Sequence, residues 1–547
     1  MATHDVLNQA PPLEGHNVYL GDLALREALA REGGSWAEER LTDYGQVLGR
    51  PETIHLGVLA NRHTPELRSH DRYGHRIDEV EFHPAWHEMM RLAMASELHN
   101  LPWRTPREGA NVARSGLNYL HTQVEAGSNC PITMTFASMP TLRHQEDVLL
   151  EWEPGLLGTV YDPRMVPASQ KTSVLVGMAM TEKQGGSDVR ANTTSAVPID
   201  GGGPGGAYLL TGHKWFCSAP MCDAFLTLAH TERGLSCFLV PRWRPDGTRN
   251  AFYIQRLKEK LGNRSNASSE IEYADTFARM IGEDGRGVRT ILEMVHHTRL
   301  DCVSGSAGLM RQCVSQAVHH ATHRTAFGKR LLDQPLMQNV LADLALESEA
   351  STVLMMRLAR AYDEGRGHEG ARAFSRIATA VAKFWVCHRA PHLAYEAMEC
   401  LGGNGYAEES SMPRLYREAP VNAIWEGSGN VICLDVLRAI AREPDSLPAL
   451  LGELAAARGE NPFYDAALGS LEKELGDPAA AERRARILTE RMALLLQAGL
   501  LLRHSPAFVA DAFCESRLGG SGGLVFGTLP AAARLEEIVS RASPQQD

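Results

Sequence analysis

The sequence predicts a mainly α-helical protein with a small β domain in its centre. The chain has 547 residues, more than one hydrophobic core usually organises, so several domains are expected. Apolar residues recur at helical spacing on both sides of the middle, as in WHEMMRLAMASELHNL. In the middle, strand-like stretches such as SVLVGMAM and LSCFLVPRW alternate with glycine-rich turns.

Changes in this pattern divide the chain into four parts. Residues 1–176 are predicted to hold an N-terminal arm and an α-helical domain, and residues 177–282 a small β domain. Long helical patterns return over 283–443, and one of them ends at a Gly-Gly pair that is typical of a helix C-terminus. Prolines mark a boundary before the last part, residues 444–547, which is again helical.

Composition limits the classes of function. The net charge of −11 gives no overall attraction to nucleic acid or membrane, so DNA binding would need a local basic patch. The ten cysteines lack paired metal-ligand spacing, which favours free buried thiols in a reducing cytoplasm and no metal site. Apolar runs stay shorter than a membrane span, and the N-terminus lacks a secretory signal pattern, so a cytoplasmic protein is predicted.

Three short segments place polar groups beside glycine turns. In IWEGSGN (424–430), the carboxylate of Glu426 lies between an aromatic residue and a turn at a helix start. MTEKQGGSDV (180–189) follows a buried strand and suits a flat polar ring, and GHKWFCS (212–218) is strand-like. Each also has an ordinary structural interpretation: an acid that complements a helix dipole, a surface turn, and a packed aromatic pair.

With two further motifs, the chain resembles the acyl-CoA dehydrogenase family of flavoproteins over roughly residues 50 to 440. The further motifs are RTAFG (324–328) and LGGNGY (401–406), and all five occur in the family's order. A narrower resemblance is to the AidB-type branch, which belongs to the bacterial adaptive response to DNA alkylation. It rests on KQGG, WEGSGN, the segment HTQVEAGSNCPITMTFAS (121–138), HNVYLGD (16–22) and the extra C-terminal part.

The resemblance implies a fold, a cofactor and an assembly. Family members have a helical domain, a β-barrel domain and a four-helix domain around FAD, and usually form homotetramers. The AidB-type branch implies an additional C-terminal helical domain that associates with double-stranded DNA. The substrate implied is an acyl-CoA, or a small electrophile if the protein destroys alkylating agents near DNA.

The resemblance also implies roles for single residues. Glu426 would be the catalytic base that removes the proton α to a thioester carbonyl, a task that favours a raised carboxyl pKa in a cavity without water. Arg324, Phe327, Gly402 and Gly403 would come from a neighbouring subunit, although Phe327 and Phe216 could also be plain core and Gln338 a solvated helix residue. The predicted FAD-binding residues are Met180, Thr181, Gly186, Ser187, Trp215, Phe216, Ser218, Arg324, Phe327, Gln334, Gln338, Gly402, Gly403, Trp425, Ser428 and Asn430.

Departures from the family pattern alter the expected activity. Trp425 replaces the commoner Tyr and Asn430 the commoner Gln, and Gln184 adds a polar group. A bulkier indole narrows the space for a fatty acyl chain. We therefore expect weak activity on ordinary acyl-CoA thioesters; the alternative is an ordinary acyl-CoA dehydrogenase of fatty or branched-chain acid catabolism without DNA binding.

The C-terminal part is an unusual candidate for DNA binding, because residues 446–547 contain 10 Lys and Arg against 13 Asp and Glu. A local patch remains, since Arg483, Arg484, Arg486 and Arg491 fall within nine residues. Such clusters are commonly solvated helix faces, so this alternative stays open. The predicted DNA contacts are Arg438, Arg484, Arg491 and Arg517.

Overall fold

The computed structural model describes residues 3–476 and 481–544. Its α-helices are α1 (Leu23–Arg31), α2 (Glu38–Leu48), α3 (Pro51–Arg62), α4 (Pro84–Ala95), α5 (Leu101–Arg104), α6 (Ala110–Val124), α7 (Asn129–Leu142), α8 (Glu146–Leu156), α9 (Gly287–His323), α10 (Pro335–Glu364), α11 (Glu369–Cys400), α12 (Gly403–Tyr406), α13 (Met412–Glu418), α14 (Val421–Ile424), α15 (Gly429–Arg442), α16 (Ser446–Ala455), α17 (Pro462–Leu475), α18 (Ala481–His504), α19 (Ala507–Phe513) and α20 (Leu535–Arg541).

The strands are β1 (Glu66–His70), β2 (Arg76–Glu81), β3 (Val176–Ala179), β4 (Ser195–Pro198), β5 (Ala207–Ser218), β6 (Ala224–Thr231), β7 (Gly234–Pro241), β8 (Phe252–Leu257), β9 (Ser268–Ile281), β10 (Thr325–Ala326) and β11 (Lys329–Arg330). The chain forms two compact units. The helical unit comprises Met1–Ile54, Arg107–Val124 and Arg299–Asp547, and the β unit comprises His55–Pro106 and Glu125–Thr298.

Three long helices form the centre of the helical unit. Helices α9, α10 and α11 have 37, 30 and 32 residues; α10 packs against α6 and α11, and α11 packs against the shorter α15. Every residue of α6 is buried, including Arg114, whose guanidinium donates to both carboxylate oxygens of Asp301 at 2.5 and 2.6 Å. A buried cation needs such a partner, because an unpaired charge in the core is costly.

The C-terminal helices belong to the same compact unit. Helix α16 packs against α11, α18 packs against α10, α11 and α15, and α20 packs against α10. The apolar run MALLLQAGLL of α18 explains this, because its residues from Met492 to Leu501 are all buried and leave no exposed face. The described helices after α15 therefore extend the helical core.

The β unit contains the predicted barrel. Its sheet runs β3–β6–β4–β5–β9–β7, β8 pairs with β9, and a further pairing of β6 with β7 closes the ring. Strands β6 and β7 are almost wholly buried, which matches their continuous apolar sequences AFLTLAHT and GLSCFLVP. The predicted fold class, mainly α with a central β barrel, is confirmed.

One element of the first part was not predicted. The stretch that reads as all helical contains the antiparallel hairpin β1–β2, whose turn closes at Gly74 with φ +84°. The sequences ELRSH and RIDEVE bury little surface, so their alternation gives a weak strand signal. No helix in residues 3–476 or 481–544 is long and apolar enough to cross a membrane.

Candidate active site

In the β unit, two of the motifs meet through a buried ion pair. Lys214 Nζ lies 2.8 Å from Glu182 Oε1, and both side chains are fully buried. Glu182 also accepts hydrogen bonds from the backbone N–H groups of Thr193 and Thr194 at 2.7 and 3.2 Å. Burial alone would raise the pKa of Glu182, but Lys214 and these donors hold it at about 2. These two residues therefore fasten the motifs together.

The Glu182–Lys214 ion pair places the predicted flavin contacts of the β unit side by side. The backbone N–H of Trp215 donates to the carbonyl oxygen of Thr181 at 2.8 Å, which joins the end of β3 to β5. A Cβ at Gly186 would lie 2.3 Å from Thr181 Oγ1, so the turn requires glycine there. Met180 and Thr181 are half-buried, and Gly186 and Ser187 are exposed. The structure thus brings together the MTE and KW segments.

The aromatic residues of this region are accessible. Lys258 Nζ lies 3.5 Å above the Trp215 ring, and Phe216 is 49% exposed, so Phe216 is not a core residue. Ser218 is half-buried, with its hydroxyl 3.4 Å from that of Ser268. The Gln184 amide bonds to Glu182 Oε2 and to the Ala191 carbonyl oxygen, so it stabilises the turn.

In the helical unit, Arg324 and Phe327 lie on the hairpin β10–β11 that follows α9. Phe327 occupies its tip with φ +54° and is 98% exposed, so it is not a core residue either. Gln334 Nε2 donates to the carbonyl oxygen of Ala326 at 3.0 Å, and Gln338 lies half-buried one turn into α10. The guanidinium of Arg324 is half-buried and donates to the carbonyl oxygen of Asn8.

Gly402 and Gly403 are both exposed, and a Cβ at either position would meet no atom within 4 Å. Gly402 has φ +59° and ends α11. The N-terminal arm joins this segment to the Arg324 hairpin: Asn8 Oδ1 accepts from the Thr325 N–H at 2.7 Å, and Gln9 bonds to Asn404 at 3.0 Å. The structure therefore places two of the predicted FAD-binding segments, the Arg324 hairpin and Gly402–Gly403, on one surface of the helical unit.

The turn that carries Glu426 is held by buried cations. Lys383 on α11 is 1% exposed, and its ammonium donates to the carbonyl oxygens of Trp425, at 2.8 Å, and Gly427. The carbonyl oxygen between them, that of Glu426, accepts from Arg299 Nε at 3.0 Å. Three consecutive carbonyl groups thus point at two cations, which fixes the peptide planes of the turn.

The same turn has an unusual backbone. Glu426 has φ +59° and Gly427 has φ +107°, and a left-handed conformation is uncommon for a glutamate. Arg299 is itself held by an ion pair with Asp435 at 2.7 Å, and Arg376 bonds the same carboxylate at 3.0 Å. The surrounding contacts therefore impose the conformation of Glu426, whose residue is half-buried.

A chain of hydrogen bonds fixes the indole of Trp425. Its Nε1 donates to Asn422 Oδ1 at 2.9 Å, and Asn422 Nδ2 donates to Ser306 Oγ at 3.1 Å. Asn422 and Ser306 are buried, so the indole has a set orientation next to Glu426. Ser428 and Asn430 are exposed, and the Asn430 side chain accepts from Arg486 at 3.0 Å.

The four arginines predicted to contact DNA have different surroundings. Arg438 has a 57% exposed side chain and bonds Asp435 at 3.2 Å, whereas Arg484 is half-buried. Arg491 pairs with Glu474. Arg517 pairs with Asp343 and Glu347 and is only 14% exposed, so its guanidinium serves an internal ion pair.

The donor set suits FAD. The helical unit offers a guanidinium at Arg324 for phosphate oxygens and open backbone at Gly402 and Gly403, where any Cβ would narrow the approach. The β unit offers the exposed Gly186–Ser187 turn beside the Trp215 ring for a flat heterocycle. Each unit by itself therefore presents groups of the kind that each half of the cofactor needs.

Sequence patterns did not identify Lys383, Arg299 or Arg486 as part of this region. The signal for Lys383 was a single lysine in the apolar run AVAKFWVC, which the structure shows to be buried. A buried lysine requires a compensating partner. Its partners are backbone carbonyl groups more than forty residues away, which no local pattern specifies.

Comparison with known proteins agrees with this geometry. Three family models match successive parts of the chain: the N-terminal domain of the adaptive response protein AidB over residues 8–163, the acyl-CoA dehydrogenase middle domain over residues 177–276, and the acyl-CoA dehydrogenase C-terminal domain over residues 285–441.

Relatives extend the similarity to nearly the whole chain. The AidB protein of Escherichia coli (strain K12) is 47% identical over 524 residues, which cover 95% of this chain and 96% of that protein. Acyl-CoA dehydrogenase family member 11 of Caenorhabditis elegans is 30% identical over 79% of this chain and 72% of that protein.

Solved structures give the same result. The crystal structure of C. elegans ACDH-11 in complex with C11-CoA superposes with a TM-score of 0.85 at 26% identity, covering 95% of this chain and 94% of that one. An acyl-CoA dehydrogenase from Geobacillus kaustophilus shares the fold over 65% of this chain and 92% of its own, with a TM-score of 0.54 at 24% identity. The chain therefore belongs to the AidB-type branch of the acyl-CoA dehydrogenase family, a family of FAD-dependent oxidoreductases that act on CH–CH groups.

Proposed function

We propose that this protein oxidises an acyl-CoA thioester with Glu426 as the catalytic base, and that its turnover of ordinary acyl-CoA is weak. The observation that carries the proposal is the turn Trp425–Gly427, where three carbonyl groups are bonded to buried cations and the carboxylate belongs to a left-handed residue. A base must be held within hydrogen-bond reach of the proton that it removes, and a rigid turn does this.

In the proposed reaction, the Glu426 carboxylate takes the proton from the α-carbon, and the electron pair of that C–H bond becomes the second bond between the α- and β-carbons. The β-carbon loses a hydride at the same time. Bound FAD would supply the oxidant that accepts this hydride. Lys383 and Arg299 hold the base by its backbone, and Trp425 limits the space beside it.

The proposed cofactor contacts are the sixteen residues predicted above. Arg324 would bind the pyrophosphate, and Gln334 and Gln338 would contact the adenine side. Gly402 and Gly403 would let the backbone approach the cofactor closely. The Met180–Ser187 and Trp215–Ser218 segments would line the flavin ring. The exposed Phe327 supports its insertion into a neighbouring subunit, because an aromatic ring 98% exposed on one chain gains from burial in an assembly. We propose that this assembly is the homotetramer that the family resemblance implies, and that the protein is cytoplasmic, because its ten cysteines are free thiols.

The hydrogen-bonded indole of Trp425 supports the proposal of a narrow substrate site. Turning the Trp425 indole aside would break its bond to Asn422, which supports a role of this ring in limiting the length of the acyl chain. The C. elegans relative is solved with C11-CoA, which makes that ester a useful member of any substrate panel. Brisk turnover of acyl-CoA esters across chain lengths would overturn the proposal of weak activity and favour ordinary fatty or branched-chain acid catabolism.

The test is anaerobic mixing of the purified flavoprotein with a panel of acyl-CoA esters, from short chains to C11-CoA, while the visible absorbance of oxidised flavin is followed. The wild type should bleach slowly, and Glu426→Gln should bleach at least about 1,000-fold more slowly, the size of loss expected when a general base is removed. Glu426→Gln should keep its FAD, because the substitution preserves shape. Equal bleaching by both proteins would exclude Glu426 as the base.

A second proposal is that the protein associates with DNA and protects it from alkylation. Its support is the similarity to the adaptive response protein AidB and the exposed guanidinium of Arg438. If Arg438 contacts a phosphate, Arg438→Met should weaken binding to any duplex sequence and make binding less dependent on salt by about one counterion. Binding that is unchanged in Arg438→Met would remove this contact.

A further inference from the structure

The added C-terminal helices reach the turn that carries Glu426. Helix α18 packs against α11, which supplies Lys383, and against α15, which begins just after the turn. Near the start of α18, Arg486 Nη1 donates to Asn430 Oδ1 at 3.0 Å. The same guanidinium lies 5.0 Å from the centre of the Phe384 ring on α11, a distance at which cation and ring attract each other.

Gly429 makes this contact possible. A Cβ at this position would lie 2.8 Å from Arg486 Nη1 and 2.9 Å from His388 Nε2, closer than real Cβ atoms come to other atoms. Glycine at the first position of α15 therefore lets an arginine from α18 lie against the backbone of the turn. Gly429 thus leaves space for the Arg486 guanidinium, and Asn430 offers it a hydrogen-bond acceptor.

The neighbouring imidazole is compatible with the guanidinium. His388 Nδ1 lies 2.5 Å from the carbonyl oxygen of Phe384, which can only accept, so Nδ1 carries the proton. Burial lowers the pKa of His388, and the charges of Arg486 and Lys383 lower it further. A neutral imidazole then faces the arginine without repulsion.

The turn and the start of the helix that follows it are thus each bonded by a cation from another helix. Lys383 bonds the carbonyl groups on either side of Glu426, and Arg486 holds the side chain of Asn430, four residues further along. We propose that Arg486 is a positioning residue for Glu426, and that the C-terminal part of the chain is in this way a component of the dehydrogenase site. This inference rests on the proposed role of Glu426 as the base.

The first test uses hydrogen exchange of the holoprotein, which needs no turnover. Arg486→Met removes the donors and the charge but keeps an unbranched apolar chain over Phe384, and it should speed exchange of the amides of residues 427–431 by about 5-fold or more, because opening of the turn becomes easier. Arg442→Met is the matched control: it removes the same charge from the exposed far end of α15, about 20 Å along the helix, and should leave these amides unchanged. Equal exchange in wild type and Arg486→Met would overturn the proposal.

The second test measures flavin bleaching by the most reactive acyl-CoA of the panel. Arg486→Met should bleach about 10- to 100-fold more slowly with little change in the dissociation constant of the ester, since a misplaced base slows proton removal without weakening binding. Arg442→Met should bleach like the wild type. Faster exchange in Arg486→Met with an unchanged bleaching rate would show a merely structural contact and would also overturn the proposal.

A double-mutant cycle tests whether Arg486 acts on Glu426 through Asn430. If Arg486 acts through Asn430, the pair Asn430→Ala and Arg486→Met should bleach no more slowly than the slower single variant. Fully additive losses would place the effect of Arg486 elsewhere and contradict the proposal. Glu426→Gln separates the two levels: if it bleaches like the wild type, the proposed function fails, whereas a slow Glu426→Gln beside a normal Arg486→Met refutes only the role of Arg486.

Discussion

Glu182 and Glu426 are both glutamates of sequence motifs that follow the end of a secondary-structure element, yet they differ in burial and in backbone conformation. Glu182 is fully buried, and its carboxylate is occupied by Lys214 and by the N–H and hydroxyl groups of two threonines. At Glu426, Lys383 and Arg299 bond to the backbone carbonyl groups of the turn, and the residue is half-buried with φ +59°.

The difference shows how one residue type serves two purposes. At Glu182 the protein uses the charge itself to join two segments of the β unit, and the charge has no capacity left for a ligand. At Glu426 the protein fixes the main chain in an unfavourable backbone conformation, and such outliers cluster at functional sites, which agrees with the role proposed for this residue.

Removal of one partner of the Glu182–Lys214 pair should cause the largest loss of unfolding free energy. We expect Lys214→Met to lose about 4 kcal/mol of unfolding free energy, because a carboxylate then stays buried without its cation. The measurement is urea unfolding. The double variant Glu182→Gln with Lys214→Met should be more stable than Lys214→Met alone, and Arg68→Met, which breaks an exposed pair with Glu81, should cost less than about 1 kcal/mol. A loss at Lys214 no larger than at Arg68 would contradict the structural role.

Acid should remove the contribution of the Glu182–Lys214 pair to stability. The pKa of Glu182 is lowered from 4.5 to about 2 in the folded protein, so its contribution is complete above about pH 4.5 and is lost as the pH falls toward 2. The contribution amounts to about 3 kcal/mol. Between pH 5 and about pH 3, the free energy of unfolding measured with urea should therefore fall more steeply in the wild type than in Glu182→Gln. Parallel slopes would show that Glu182 does not titrate in this way.

Loss of the ammonium under the Glu426 turn should have a smaller effect. Lys383→Met leaves the carbonyl groups of Trp425 and Gly427 without their buried donor, and we expect a loss of about 2 kcal/mol in urea unfolding. The matched control is Lys473→Met on the exposed side of α17, which should stay within about 0.5 kcal/mol of the wild type. Wild-type stability of Lys383→Met would mean that the turn does not depend on this cation.

The last and weakest effect has the opposite sign. Glu426→Gly should raise the unfolding free energy by about 1 kcal/mol relative to Glu426→Ala, because glycine adopts a positive φ without steric cost. Both variants lack the carboxylate, so their difference isolates the backbone. A glycine variant less stable than the alanine variant would show that the conformation at Glu426 is not strained.

Much of this molecule is predictable from local pattern. The order of helical and β-rich stretches predicts the fold class, and five motifs in order predict the family, because period and turn chemistry are properties of neighbouring residues. The hairpin β1–β2 is not predictable in this way, since strands that bury little surface leave little pattern. The four-part division at residues 176, 282 and 443 stays a prediction, which limited proteolysis would test.

Local sequence was enough to place Glu426 at a glycine turn before a helix, and to assign Lys214 and Glu182 to neighbouring motifs. The choice of which cation holds which group depended on the packing of distant elements. Lys383 and Arg299 reach the turn from α11 and α9, Arg486 reaches it from α18, and Arg517 joins a buried pair although its sequence suggested a surface role. The physical reason is that a buried charge is stable only beside its partner, and packing brings together partners that lie far apart along the chain.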